Sequence, residues 1–222
     1  MKPFNLTVKM SANAARVMSV SMAEQDIRYY LCGILVDLEK GCLVATNGHM
    51  MSRWVLDPNI HESVQYDFGK SNPGSVIVGF VTDKLLKEFK SKAKQRKVFS
   101  VELTLVGDDA KSMVGSAVFK DESTSIIASV PIVSLGGRYP DYASVLPAAD
   151  LAFSHPPNNQ FVQFNPDYVS RVAVALDIST RGEMVSTSLK TQGDPNKSIL
   201  VAHHRGGLPI PQLTHVVMPV RG

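Results

Sequence analysis

Apolar and polar residues alternate along Phe4–Lys9 with the two-residue period of a strand, and the period lengthens after Ser11. Ser11 is placed to cap a helix running to about Ala23, with Ala15, Met18 and Met22 on one face. Three strands in a meander are expected next, at Arg28–Asp37, Cys42–Thr46 and His49–Val55. In the first of these, Tyr29, Leu31 and Leu35 fall on one face and Tyr30, Cys32, Ile34 and Val36 on the other, so both faces need cover. Glu39-Lys40-Gly41 makes the first turn. Asn47-Gly48 makes the second, and Asn-Gly between apolar runs predicts a type I′ hairpin with positive φ at both residues.

The same order then repeats. After a polar stretch expected to be irregular (Pro58–Gly74), Val76–Phe80 reads as a strand. Thr82 caps a helix whose apolar stripe is Leu85, Leu86, Phe89 and Ala93. Strands follow near Val98–Val106, Met113–Phe119 and Ser125–Val133. A third unit begins with a strand at Phe161–Phe164. Asn165 then caps a helix with Pro166 at its first position and a Val169, Val172, Ala173, Leu176 stripe. Its strands are expected near Met184–Leu189, Ser198–His203 and His215–Val220. The pattern is βαβββ three times, an α+β architecture of divergent internal repeats.

Composition adds limits. The 222 residues, 44% of them hydrophobic and 19% charged, suit one large or two small soluble domains. No apolar run reaches the length of a membrane span, and MKPFNLTVKM has no signal-peptide core. Cys32 and Cys42 are expected as small hydrophobes inside strands, in a reduced, cytoplasmic protein. A net charge of +3 is too small to argue for nucleic acid by itself.

Catalytic chemistry finds little support. The chain carries no G-x-S-x-G elbow, no phosphate loop of the G-x-x-x-x-G-K-[ST] kind and no H-E-x-x-H. His203 and His204 are adjacent in a strand, face opposite ways and cannot share a metal. His49 follows a turn with no ligand partner at helical or strand spacing, and Asp108-Asp109 sit where a turn is expected. No catalytic residue, cofactor or metal is therefore expected.

Four motifs, in order, resemble the bacterial β sliding clamp, the processivity subunit of DNA polymerase III. RYYLCGILVD with LVATNGHMM resembles the family's middle domain. GRYPDYASVLP, FNPDYVSRVAVAL and HVVMPVRG resemble its interdomain linker, its last helix and its C-terminus. The resemblance implies a DNA-clamp fold of three half-domain repeats, with helices on one face of antiparallel sheets. Residues 1–147 would form one complete clamp domain and 148–222 the second half of the last. The family's first domain, and the first half of its last, have no counterpart in these residues.

The resemblance also implies two interaction sites in a non-catalytic replication protein. The first is a groove for linear peptides of polymerases and other replication proteins. It would be lined by Leu31, Thr46, Gly48, His49, Met50 and Met51, by Pro140 and Val145, by Asn165 and Tyr168, and by Val217, Met218, Pro219, Val220 and Arg221. A methionine-rich groove of this kind can repack around different apolar anchors. Met50 stands where the family has arginine, Ala143-Ser144 where it has a basic pair, and Gly222 where it has leucine, so the rim is less positive.

The second site is a helical face for double-stranded DNA, contacted through its backbone without sequence preference. Lys84 to Lys97 holds six lysines and one arginine against one glutamate. Lys84, Lys87, Lys90 and Lys94 are the expected contacts there, with Arg16 and Arg171 on the other helices. A family ring closes on six two-half domains, so four copies of a three-unit chain would match it, two copies pairing their third units across a two-fold axis. A homo-oligomer is thus expected, without a membrane. Two rival readings are an interaction protein that captures clamp-binding peptides without encircling DNA, and an unrecognised enzyme.

Overall fold

The computed structural model describes residues 3–70, 72–146, 163–177, 185–190 and 197–219. Strand β1 (Phe4–Ser11) runs into helix α1 (Ala12–Ser21), capped as expected by the Ser11 hydroxyl, which accepts from Ala14 N. The meander is β2 (Ile34–Asp37), β3 (Cys42–Thr46) and β4 (Met50–Val55). A short edge strand, β5 (Ser63–Asp67), follows. The second unit is β6 (Ser75–Gly79), α2 (Asp83–Ala93, with Thr82 as its cap), β7 (Ser100–Gly107), β8 (Val114–Lys120) and β9 (Ile126–Leu135). The third is α3 (Pro166–Asp177), β10 (Val185–Lys190), β11 (Ile199–Arg205), the two-residue β12 (Leu208–Pro209) and β13 (Leu213–Val217). The repeating α+β order read from the sequence is present.

All described strands join one antiparallel sheet in the order β10-β11-β13-β4-β3-β2-β6-β9-β8-β7-β1-β5, with β12 on β11. The first two units exchange their leading strands: β6 lies beside β2, and β1 beside β7. The third unit joins the first through β13 and β4, paired from Leu213↔Trp54 to Val217↔Met50. Helix α1 packs against both α2 and α3. The main core lies between helices and sheet, built from Leu6, Val17, Met18, Phe89, Phe119, Leu176 and Val217 among others. Each such side chain contributes roughly 1.5–3 kcal/mol by leaving water.

The double-sided apolar strands are covered on both faces, as their pattern requires. Ile34 and Val36 belong to the core under the helices, whereas Leu35, Cys42, Val44, Met51, Ile77 and Val216 form a second cluster on the outer face. The segment from Tyr139 to Leu146 covers that cluster. Its Tyr142 hydroxyl donates to Asp37 Oδ2 at 2.6 Å, and Tyr139 donates to the Val44 carbonyl at 3.3 Å. Burial, reinforced by the Asp37 carboxylate, pushes the Tyr142 hydroxyl far above its ordinary range.

The structure corrects several expectations. Arg28–Asp37 is not one strand: Tyr29–Cys32 forms a 3₁₀ turn, which carries Cys32, and extended pairing begins at Ile34. The Asp26 carboxylate accepts from both the backbone and the guanidinium of Arg28, a local tie that overrides the strand propensity of the tyrosines. Gly33 follows, where a Cβ would meet the Val78 carbonyl at 2.7 Å. The Asn47-Gly48 hairpin exists but is not type I′, because only Gly48 has positive φ (88°). Asn47 Oδ1 accepts from His49 N and Met50 N instead, and Thr46 Oγ1 accepts from Gly48 N.

The stretch Pro58–Gly74 is not wholly irregular. It holds a 3₁₀ turn at Pro58–Ile60 and β5, anchored by buried Glu62, whose carboxylate accepts from Ser11 N, Trp54 Nε1 and Asp57 N. Of the strand expected at Phe161–Phe164, Phe161 and Val162 lie outside the described residues, and Gln163 and Phe164 are not extended in a ladder.

Arg16 also departs from expectation. It is 1% exposed, and its Nη2 donates to the carbonyls of Gln95 (2.9 Å) and Val98 (3.2 Å), which ties α1 to the connection after α2. Burial lowers its pKa. Arg16→Ala should therefore lower the unfolding free energy by about 3 kcal/mol, because it strands two buried carbonyls and opens a cavity. Urea denaturation of the variant beside the wild type measures this.

Candidate functional site

The β13–β4 ladder brings three separated stretches of sequence to one place. Val217 pairs with Met50, and Met218 N donates to the His49 carbonyl at 2.8 Å. Helix α3 begins beside them. Asn165 caps it by accepting from Asp167 N, and the Tyr168 ring stacks on His49 with centroids 5.8 Å apart and planes within 3°. The members of the expected groove that are exposed or half-buried at this place are thus Gly48, His49, Asn165, Tyr168, Met218 and Pro219.

The rest of the expected lining divides. Leu31, Met50 and Val217 are essentially inaccessible, at 0%, 1% and 0% exposure, so they support the groove from beneath. Thr46 and Met51 are also buried, and the Thr46 hydroxyl donates to the Met50 carbonyl. Val145 packs on the outer cluster, with its carbonyl accepting from Ser198 Oγ. Pro140 lines a different place, an outer-face cavity of about 530 Å³ shared with Leu35, Ile77, Leu135, Tyr139 and Tyr142. Val220 and Arg221 lie outside the described residues.

Sequence reasoning missed Arg28. Its guanidinium lies over Gly48, 3.1 Å from where a Cβ would stand, and pairs with Asp26 through Nε and Nη2. Those hydrogen bonds hold the Asp26 carboxyl down at about 2. Reading Arg28 as part of a strand concealed the turn that aims it at the second hairpin. On the other side Arg171 pairs with Asp167 (2.6 Å) and stands 6.0 Å from the Tyr168 ring centre. The aromatic pair is thus flanked by two arginines, each neutralised by an aspartate.

The expected DNA contacts also separate. Lys84 and Lys87 of α2 and Lys94 at its C-cap are exposed, opposite buried Leu86, Phe89 and Ala93. Lys90 is not available in the same way. Its side chain is 12% exposed, its ammonium donates to the Met22 carbonyl and pairs with Glu24, and burial lowers its pKa. Arg16 is interior and leaves the set. Arg171 is exposed but engaged by Asp167.

The adjacent histidines do face apart, yet His203 has a partner that sequence adjacency could not show. Its Nε2 lies 2.9 Å from His215 Nδ1 across β11 and β13, and its Nδ1 lies 3.2 Å from Thr187 Oγ1. Both rings are buried, and they stack. Beyond His215 the cross-strand position on β4 is Ser52, whose hydroxyl meets Ser21 of α1 at 2.8 Å. Among the described residues, no group of three or more His, Cys, Asp or Glu could hold a metal ion. None of the described helices is long and apolar enough to cross a membrane.

Helices lying on one face of a sheet assembled from βαβββ units define the sliding-clamp class of fold. The Pseudomonas aeruginosa DNA polymerase III β subunit overlays with a TM-score of 0.55 at 20% identity, covering 97% of this chain and 66% of that one. The Caulobacter crescentus pol III β gives 0.55 at 18%, with 98% and 66% covered. The Helicobacter pylori β clamp bound to 3,4-difluorobenzamide gives 0.56 at 14%, with the same coverage. No protein-family model matches the chain. A Proteus mirabilis β sliding clamp is 30% identical over 129 residues, which is 57% of this chain and 29% of that relative. The chain thus shares the fold of these solved clamp subunits and is similar in sequence to a β sliding clamp over 129 residues, while spanning less than a third of that curated relative and about two thirds of each solved one.

The histidine pair makes a pH prediction. Burial above all holds His203 at about 4 and His215 at about 3, below the ordinary value of about 6.5. The unfolded chain therefore takes up protons that the folded chain refuses as pH falls below about 6.5. Stability should be full above that pH and decline steadily toward pH 4. Urea midpoints across this window measure the decline, and replacing both histidines with leucine should flatten it.

Proposed function

We propose that this chain is a non-catalytic, clamp-type accessory protein of cytoplasmic DNA replication. It recruits a polymerase or another replication protein by binding a linear peptide in the groove at His49, Tyr168 and Met218. Residues 1–147 serve as one complete clamp domain and 148–222 as a half domain. The observation that carries this reading is the convergence of the Asn47-Gly48 hairpin, the start of α3 and the last described strand on one partly apolar surface. Leucine and phenylalanine anchors would bury against Tyr168 and Met218, while Arg28 and Arg171 set the polar rim.

A peptide of Gln-Leu-x-Leu-Phe type should bind with a Kd of about 1 µM, or roughly −8 kcal/mol. Tyr168→Ala or Met218→Ala should each weaken it about tenfold, roughly 1.4 kcal/mol. Isothermal titration calorimetry tests both. Wild-type protein giving neither heat nor competition at high peptide concentration would remove the peptide reading.

DNA contact would fall to α2, whose Lys84, Lys87 and Lys94 share one exposed side. Substituting all three by glutamate should abolish association with duplex DNA and leave peptide affinity unchanged. In the wild type, affinity should fall with salt, by about 0.9 logarithmic units per phosphate contact for each tenfold rise. The burial of Arg16 and Lys90 favours a second reading, peptide capture without encirclement of DNA, because it leaves only Lys84, Lys87 and Lys94 of the expected DNA contacts exposed and, among the described residues, without an ion-pair partner. Peptide binding with no salt-dependent DNA affinity would select it.

A further inference from the structure

Asn47-Gly48 is the single Asn-Gly step in the chain. A glycine after asparagine leaves its backbone nitrogen sterically free to approach the side-chain amide before it. In the turn between β3 and β4, Asn47 is half-buried and Gly48 is exposed. The nearest group to where a Gly48 Cβ would stand is the tip of Arg28, a flexible side chain. Nothing rigid therefore crowds the step.

The contacts around it match what cyclisation of this pair demands. Asn47 Oδ1 accepts from His49 N at 2.9 Å and Met50 N at 3.0 Å. Two backbone donors thus converge on the oxygen that turns negative when Cγ is attacked. Gly48 N donates to Thr46 Oγ1 at 3.0 Å, so an acceptor already holds the proton that the attacking nitrogen must lose. The Thr46 hydroxyl spends its own proton on the Met50 carbonyl at 2.7 Å, which keeps a lone pair facing Gly48. The Arg28 guanidinium lies over the same glycine.

We propose that Asn47-Gly48 is a self-modification site, at which the hairpin promotes its own deamidation and thereby loosens its hold on β13. The Gly48 nitrogen bonds to Asn47 Cγ and gives up its proton by way of Thr46. The Cγ–Nδ2 bond breaks, and ammonia departs with that proton, leaving a five-membered succinimide. Water then opens the ring at either carbonyl. Opening at Cγ gives aspartate, which keeps an acceptor for His49 N and Met50 N. Opening at the Asn47 backbone carbonyl gives isoaspartate, which routes the main chain through Cβ and lengthens it by one methylene. The turn then no longer sets His49, whose carbonyl accepts from Met218 N and whose ring stacks on Tyr168. Either product adds a carboxylate that competes with Asp26 for Arg28. This chemistry depends on neither the peptide nor the DNA reading.

The full chain, incubated at mildly alkaline pH, is compared by peptide-mapping mass spectrometry with an end-blocked peptide of the sequence Val44–Met51. Asn47 should convert several-fold faster in the folded chain than in the peptide. Thr46→Val should slow conversion roughly tenfold, a hydroxyl being a weaker proton acceptor than the usual catalytic bases, and Thr46→Ser should restore it. A purely structural Thr46 gives the opposite sign, because a loosened hairpin cyclises more readily. In the isoaspartyl form, separated by ion exchange, the Met218 amide should exchange its hydrogen about tenfold faster than before. Slower conversion in the folded chain than in the peptide overturns the proposal, as does acceleration by Thr46→Val. Unchanged exchange at Met218 overturns the loosening of β13. The comparison of wild type with peptide decides the matter even if Thr46→Val fails to fold.

Discussion

The ladder between β13 and β4 is the constraint on which the candidate groove depends. Five residue pairs join the last described strand to the first meander, and their side chains alternate between two cores. Val217 points into the core under the helices, and Val216 into the outer cluster. A shift of register by one residue would exchange those faces and put buried His215 among the outer-face residues. Pairing, inner core and outer core therefore specify one register together. That register sets Met218 against His49, and the packing of α3 on α1 sets Tyr168 over the same histidine.

Buried polar groups fix the rest of the architecture where apolar packing alone would leave latitude. Glu62 binds β1, Trp54 and the following turn with one carboxylate. Arg16 reaches two carbonyls after α2, and Asp37 holds Tyr142 and hence the segment over the outer face. Each has at least one partner distant in sequence, and removing that partner would leave a desolvated group behind. The Arg16 tie joins the first unit to the second, the Glu62 ties act within the first, and Asp37 joins the first unit to the segment that covers its outer face.

Charge at the two candidate faces is more restrained than the sequence count suggests. Arg28 and Arg171 flank the His49–Tyr168 stack with their charges met by Asp26 and Asp167. On α2, Lys90 turns inward to Glu24 and a carbonyl, while three lysines remain toward solvent. Exposed ion pairs of this kind contribute little to stability. Such pairs are weak enough to open for a competing carboxylate or phosphate.

Local patterning determined the repeats. Strand and helix periods, the Ser11, Thr82 and Asn165 caps and the two-sided apolar strands depend on near neighbours, so they were legible from residues alone. The motif resemblance picked out residues that the fold brings together around His49, Tyr168 and Met218, but not which of them would face solvent. Burial depends on what packs from elsewhere, and so Leu31, Met50 and Val217 became support while Pro140 went to another cavity. The 3₁₀ turn at Tyr29–Cys32 escaped because a carboxylate hydrogen bond outweighed strand propensity. Arg16, Lys90 and the His203–His215 pair were beyond sequence for a different reason. Whether a charged or titratable side chain is solvated, ion-paired or buried is decided by groups brought to it across strands and helices, and only the tertiary structure brings them together.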